Sequence, residues 1–283
     1  MVATTDTLVE GIDFRLDWPG FDFRLLGRRL MSINLSDLAA MGAEPRYALV
    51  SLALRGSMPS NDVDRLYAGV AQQAQRFGCL VAGGDFSETG GPLSLTATLI
   101  GRVASAARTL RRAGARRGWQ IGVTGRLGGA AAGLRLLETR RRPATATERR
   151  WVRAQLDPQP RVDAGRALVS AGVRVGGDIS DGLYREVQRI TEPSRLGATI
   201  DVRRLPLASG LNANQWPLGV EDSEDFELLC AAPAAPMASA KAALGRLGVP
   251  LTVVGEVERE PGIRLLDGAR VVRLRKPGYE HFH

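Results

Sequence analysis

Five aspartates stand where apolar runs end or in short polar turns. They are Asp6 in Thr4-Thr5-Asp6-Thr7, Asp37 in Asn34-Leu35-Ser36-Asp37, Asp85 in Gly83-Gly84-Asp85, and the pair in Asp178-Ile179-Ser180-Asp181-Gly182. Carboxylates mixed with Thr and Ser hydroxyls are hard oxygen donors. They suit Mg²⁺, which takes one or two carboxylates together with substrate phosphates. Each aspartate taken alone could equally cap a helix or close a turn, and Asp181 could cap the helix behind it. Five such positions, several beside glycine, point toward a metal–phosphate site. Gly83-Gly84 and Gly125-Arg126-Leu127-Gly128-Gly129 read as strand–helix junctions, whose free backbone N–H groups favour phosphate. Left-handed turns also need glycine, so this signal is weaker.

Absent residue types narrow the chemistry further. The two histidines, His281 and His283, are at the end of the chain, which argues against a Ser/His/Asp triad and against zinc catalysis. No GxxxxGK[ST] loop occurs, nor the Gly-loop, HRD and DFG set of protein kinases. Phosphoryl transfer onto a group that is already a phosphate needs no general base. It needs positioning and charge neutralisation, which a carboxylate-rich, histidine-poor site supplies with metal ions.

Mixed strand and helix patterns surround these residues. Val2–Leu8 reads as a strand, Phe23–Met41 as an amphipathic helix stopped by Gly42, Tyr47–Leu54 as a strand and Asn61–Phe77 as a helix. Cys79–Ala82 runs as a strand into Gly83, and Pro92–Val103 alternates apolar and polar residues. An Ala/Arg-rich stretch, Ala104–Gly118, separates a second series of strands and helices, so two α/β (α+β) domains are expected, residues 1–107 and 108–283. No apolar run approaches the roughly 20 residues of a membrane span. The first residues lack the pattern of a signal peptide, and Cys79 and Cys230 sit apart in apolar runs as buried thiols; a cytoplasmic protein is expected. The formal charge of +8 is almost all arginine, clustered at Arg140–Arg142 and Arg149–Arg153. No nucleic-acid-binding motif accompanies it, so a solvated surface is expected rather than a nucleic-acid partner.

Seven segments in this order resemble thiamine-monophosphate kinases of the PurM-like superfamily: Thr4–Phe14 (TTDTLVEGIDF), Ile33–Pro45 (INLSDLAAMGAEP), Gly83–Asp85, Val123–Leu134 (VTGRLGGAAAGL), Asp178–Leu183 (DISDGL), Glu224–Leu229 (EDFELL) and Gly278–Phe282 (GYEHF). The resemblance implies a two-domain PurM-like fold whose N-terminal sheet pairs across a homodimer. It implies ATP- and Mg²⁺-dependent phosphorylation of thiamine monophosphate by in-line transfer. Carried over position by position, it assigns Thr4, Thr5, Asp6, Asp37, Asp85, Asp178 and Asp181 to metal. It assigns Tyr67, Gly84, Asp85, Arg112 and Ser180 to ATP, and Asp13, Glu224 and Tyr279 to the thiamine moiety. Asp37, Asp181 and Arg112 are the expected catalytic set. Related enzymes carry a Gly-Asp-Asp-Ala segment before the first matching motif, which this sequence does not include; a depleted metal site is one expectation from that. Asp13 replaces the family's usual histidine, and the family's GGDT and GGED become Gly83-Gly84-Asp85-Phe86 and Asp222-Ser223-Glu224-Asp225. The alternatives are a homologue that binds nucleotide or thiamine phosphate without turnover, and a PurM-like enzyme acting on another substrate.

Overall fold

The computed structural model describes residues 1–221 and 223–274. The first half forms a four-stranded sheet from β1 (Val2–Val9), β2 (Glu44–Leu54), β3 (Leu80–Glu88) and β4 (Ser94–Arg102), in the order β1-β4-β2-β3. Helices α1 (Phe23–Ala40) and α2 (Ser60–Arg76) cover one face. The alternation read from Pro92–Val103 has its expected effect: Leu95, Ala97 and Leu99 of β4 turn inward with Ala48, Val50 and Leu52 of β2. The opposite face is open, with Tyr47 and Leu49 each more than two-fifths exposed.

The second half is a seven-stranded mixed sheet, ordered β11-β10-β7-β9-β5-β8-β6. Its strands are β5 (Gln120–Thr124), β6 (Val175–Asp178), β7 (Gly197–Asp201), β8 (Leu228–Ala232), β9 (Leu251–Glu258), β10 (Gly262–Asp267) and β11 (Arg270–Val272). Helices α3 (Gly129–Glu138), α4 (Ala146–Leu156), α5 (Val162–Ser170), α6 (Leu183–Thr191) and α7 (Ala234–Arg246) complete it. β7 had no counterpart in the sequence reading, because Gly197-Ala198-Thr199-Ile200 is too short and too weakly alternating to register.

One apolar core continues from the first sheet across α1 into α4, α5 and α7, so α1 is the internal wall shared by both halves. That explains its composition: Arg29, Ser32, Asn34 and Ser36 are all buried, each facing a neighbour rather than water. The helix ends at Gly42, whose φ of +65° admits the left-handed turn that lets Ala43 N–H reach the Leu38 carbonyl. Where α1 crosses α2, a Cβ on Gly27 would stand 2.0 Å from the Leu66 carbonyl and one on Gly69 2.0 Å from that of Arg24. Glycine at both crossing points sets how closely the helices approach, and so how α1 presents its C-terminal half. Cys79 and Cys230 are free and buried, and burial pushes their thiols up to about 11 and about 12. Among the described residues no helix is long and apolar enough to cross a membrane.

Two local expectations are corrected. Gly83-Gly84 is not a strand–helix junction: β3 continues through it to Glu88, paired in parallel with β2. A Cβ on Gly84 would lie 1.9 Å from the Val50 carbonyl, so glycine serves close strand approach there. The Gly125–Gly129 junction does lead into α3, but its helix N-terminus is already capped. Asp225 accepts from the N–H groups of Gly128 at 2.6 Å and Ala130 at 3.2 Å. Burial pushes the Asp225 carboxyl up to about 6 despite these bonds.

Candidate active site

Four of the five aspartates meet where α1 passes between the sheets. Strand period two sends the Thr4 and Asp6 side chains toward α1. There the Thr4 hydroxyl donates to Asp37 Oδ2 and Asp6 N–H donates to Asn34 Oδ1 at 3.0 Å, which brings the Asp6 and Asp37 carboxyls together. One position before Asp37, Ser36 faces the second sheet and donates to Asp178 Oδ2 at 2.7 Å, at the end of β6. The other oxygen, Asp178 Oδ1, is buried with no partner among the described residues. Asp181 follows in the turn before α6 and takes a guanidinium bond from Arg189 at 2.7 Å. It does not cap α6; Gly182 holds that position with no side-chain bond.

The cluster strains against its own charge. Asp6 is pushed up to about 8, by burial first and then by Asp37, with Asp178 and Asp181 adding repulsion. Asp178 is pushed up to about 6 by burial and by the Asp37 charge, against the opposing effect of Ser36 and Arg112. Oxygen-only donors, mutual repulsion and one unpartnered buried oxygen are what a hard dication would relieve, so the residues fit Mg²⁺. Among the described residues no three acidic, histidine or cysteine side chains already stand at ion-holding spacing; the carboxylates instead take protein donors from Thr4, Ser36 and Arg189.

Two residues of α6, Glu186 and Arg189, belong to this site although the sequence reading passed over them. Arg189 bridges Asp181 and Glu186. Burial pushes the Glu186 carboxyl up to about 7, and it stands 3.6 Å from the half-exposed Arg112. Their trace in the sequence is the i,i+3 spacing of Glu186 and Arg189, which reads as ordinary surface charge until the fold shows Glu186 fully buried.

Beside Ser180 and Asp181 opens a cavity of about 590 Å³. Ile12, Trp18, Leu134 and Leu137 give it apolar walls, and Asp13 and Glu224 give it carboxylates. Asp13 also closes its own turn, accepting from Val9 N–H at 2.7 Å. Glu224 is held by Arg29 at 2.7 Å and Gln155 at 2.8 Å.

The remaining expected site residues lie elsewhere in the chain. Thr5 falls on the opposite face of β1, bonded to the Ala97 carbonyl and Thr98, because adjacent strand residues cannot share a face. Asp85 lies in the row Asp85–Ser51–Thr96–Thr7, on that same open face. Three strand spacings separate it from β1, about 14 Å. Gly84 accompanies it on the edge strand, and Tyr67 stacks on Phe86 with ring centroids 5.4 Å apart. Within one chain Thr5, Gly84, Asp85 and Tyr67 therefore do not join the Asp6–Asp37–Asp178–Asp181 cluster. Tyr279 lies outside the described residues.

Residues 1–103 match the AIR synthase related protein N-terminal domain, and residues 118–268 the C-terminal domain of that family. The thiamine-monophosphate kinase of Escherichia coli (strain K12) is 34% identical over 296 residues, spanning all of this chain and 86% of the relative. That of Rhodopirellula baltica is 33% identical over 292 residues, spanning 99% of this chain and 83% of the relative. The chain belongs to the thiamine-monophosphate kinase family. Among solved structures, the Stenotrophomonas maltophilia K279a thiamine-monophosphate kinase superposes with a TM-score of 0.85 at 30% identity, over 95% of this chain and 86% of that one. AaThiL complexed with AMPPCP and TMP superposes at 0.84 with 27% identity, over 99% of this chain and 86% of that one. A hydrogenase maturation protein, HypE, shares the fold at 19% identity with a TM-score of 0.77.

Proposed function

We propose that this chain transfers the γ-phosphoryl group of ATP directly to thiamine monophosphate, forming thiamine diphosphate and ADP. One observation carries the reading: Asp6, Asp37, Asp178 and Asp181, drawn from β1, α1, β6 and the turn before α6, converge beside the cavity that holds Glu224. The acceptor is itself a phosphate, anionic at neutral pH, so no side chain has to remove a proton from it. Asp6, Asp37, Asp178 and Asp181, with the Thr4 hydroxyl, would hold Mg²⁺, which supplies charge neutralisation for the phosphates. Arg112 presents forked donors to ATP phosphates, held from behind by Glu186, and Ser180 stands at the cavity mouth beside them. The cavity's apolar walls accept the thiamine rings, while Glu224 and Asp13 complement the positive charge of a quaternary thiazolium.

A second copy completes the site. The open face of the first sheet carries Thr5 and Asp85 beside the exposed Tyr47 and Leu49, and it is the wrong face to serve the chain's own aspartate cluster. Packed against another copy, Asp85 on that face serves the partner's nucleotide in a homodimer, with Gly84 and Tyr67 beside it at the β3 edge of the sheet. In this reading residues 1–107 carry the dimer face and most metal ligands, residues 108–283 carry Arg112, and both contribute walls to the cavity. ATP dependence and two unbridged thiols make the cytoplasm the place of action.

The test incubates the purified protein with ATP, Mg²⁺ and thiamine monophosphate and follows thiamine diphosphate by chromatography, with Asp37→Ala alongside. Product that vanishes in the variant supports the kinase. Folded, dimeric protein that binds both substrates without product would replace this reading with that of a non-catalytic binder.

A further inference from the structure

Arg29 is the largest fully buried side chain, on the inner wall formed by α1, and it is a permanent cation. A guanidinium is costly to bury unless its donors are taken by anions and carbonyls. Its Nη1 donates to the Gln155 carbonyl and its Nη2 to Glu224 Oε2 at 2.7 Å, while Nε has no partner. Gln155 Nε2 donates to the same Oε2 at 2.8 Å. Two donors from two helices thus converge on one oxygen of a carboxylate that lines the cavity. Among the described residues Oε1 carries no hydrogen bond, and the Glu224 side chain is one-third exposed.

A tether between α1 and α4 does not account for this arrangement, because the neighbouring residue already makes one. Arg28 binds Asp157 through two bonds, at 2.9 and 3.2 Å. A second guanidinium, buried and committed to a cavity carboxylate, calls for another role.

We propose that Arg29 and Gln155 are positioning residues: they lock Glu224 Oε2 so that Oε1 is presented to a cationic or amine-bearing ligand in the cavity. With the acceptor reading above, on which this rests, that ligand is the thiamine moiety. Coulomb's law alone gives the opposite sign. Removing a cation from beside Glu224 should tighten a cationic ligand, whereas losing the lock should loosen it.

The experiment measures thiamine and thiamine monophosphate binding by calorimetry, with KM for each substrate and kcat, in the full chain and five variants: Arg29→Lys, Arg29→Met, Gln155→Leu, Glu224→Gln and the double variant Arg29→Met/Glu224→Gln. Arg29→Met should weaken thiamine binding roughly ten- to a hundredfold, the range expected for a lost charge-assisted bond. KM for ATP should stay within about twofold, since the lock does not touch the phosphate end. Arg29→Lys should recover most of the affinity. In the Glu224→Gln background Arg29→Met should add little, because the two act as one unit. Gln155→Leu keeps the buried cation paired and should weaken binding several-fold, which covers the case in which Arg29→Met folds poorly. Tightened or unchanged thiamine binding in both Arg29→Met and Gln155→Leu overturns the proposal. So does an effect in the double variant equal to the product of the single ones. If the unsubstituted chain binds neither thiamine nor its monophosphate, the acceptor reading has failed, and the proposal with it. Normal binding in the parent with no effect of the variants sinks the proposal alone.

Discussion

Ser36→Ala isolates one bond at the heart of the aspartate cluster. Asp178 is 2% exposed, Ser36 is its side-chain donor at 2.7 Å, and the other carboxylate oxygen has no partner among the described residues. A hydrogen bond to a charged group contributes about 1.5–3 kcal/mol, a factor of about ten to a hundred in an equilibrium constant. Removing it disfavours the ionised carboxylate, so a pKa already pushed up to about 6 by burial and Asp37 moves higher. At pH 7 the variant then holds a proton on Asp178 that Mg²⁺ must displace. The Mg²⁺ concentration giving half-maximal turnover should rise about two- to fifteenfold at pH 7, because the lower end of that range leaves only about half of Asp178 protonated there. The sign with pH follows: raising pH strips the proton, so the gap between variant and parent should narrow toward pH 9 and widen toward pH 6.5. Magnesium titrations of thiamine diphosphate formation across that range read both effects. An unchanged Mg²⁺ requirement, or a gap constant with pH, would refute the claim that Ser36 keeps Asp178 ionised for metal.

Three more outcomes are expected. Mixing Asp37→Ala and Asp85→Ala proteins, each inactive alone, should restore about a quarter of parental activity: half the reassorted dimers are mixed, and each has one intact site of two. Recovery near zero after verified subunit exchange would place Asp85 and Asp37 in the same chain's site. Asp225, raised to about 6 from 3.8 in the half-buried cap of α3, favours the protonated native state. It therefore costs nothing below pH 4 and progressively more as pH rises to 6, about 3 kcal/mol in all. The urea stability of Asp225→Asn relative to the parent should climb over that interval and level off above it; a flat difference would contradict the shift. Gly27→Ala places a methyl 2.0 Å from the Leu66 carbonyl at the α1–α2 crossing and should cost about 2–3 kcal/mol. Unaltered thermal unfolding would mean that the crossing is loose.

The sequence by itself determined the chemical class and most of the elements. Period-two alternation in β4 and the Gly42 stop of α1 are local effects, set by backbone geometry within a few residues, and they came out within one or two positions. Carboxylate and hydroxyl types at Asp6, Asp37, Asp178 and Asp181, with the histidines confined to the end of the chain, pointed to a hard-metal phosphate site before any contact was known. Distance and facing were decided only by the tertiary structure. Asp85 and Thr5 look equivalent to Asp6 as residue types, yet strand order and pleat put them on the other face of the sheet, out of reach of the cluster in one chain. Gly128-Gly129 resembled a phosphate cradle until Asp225, 97 residues away from Gly128, was found capping it. Nothing in the sequence set Glu186 and Arg29 apart from surface charge, because a charged residue in a helical pattern is ordinarily solvated. Only the packing of α6 and α1 against both sheets reveals that these two are buried and aimed at the site. Burial and convergence are properties of the whole chain's packing, and residues far apart in sequence acquire them only once the fold has brought them together.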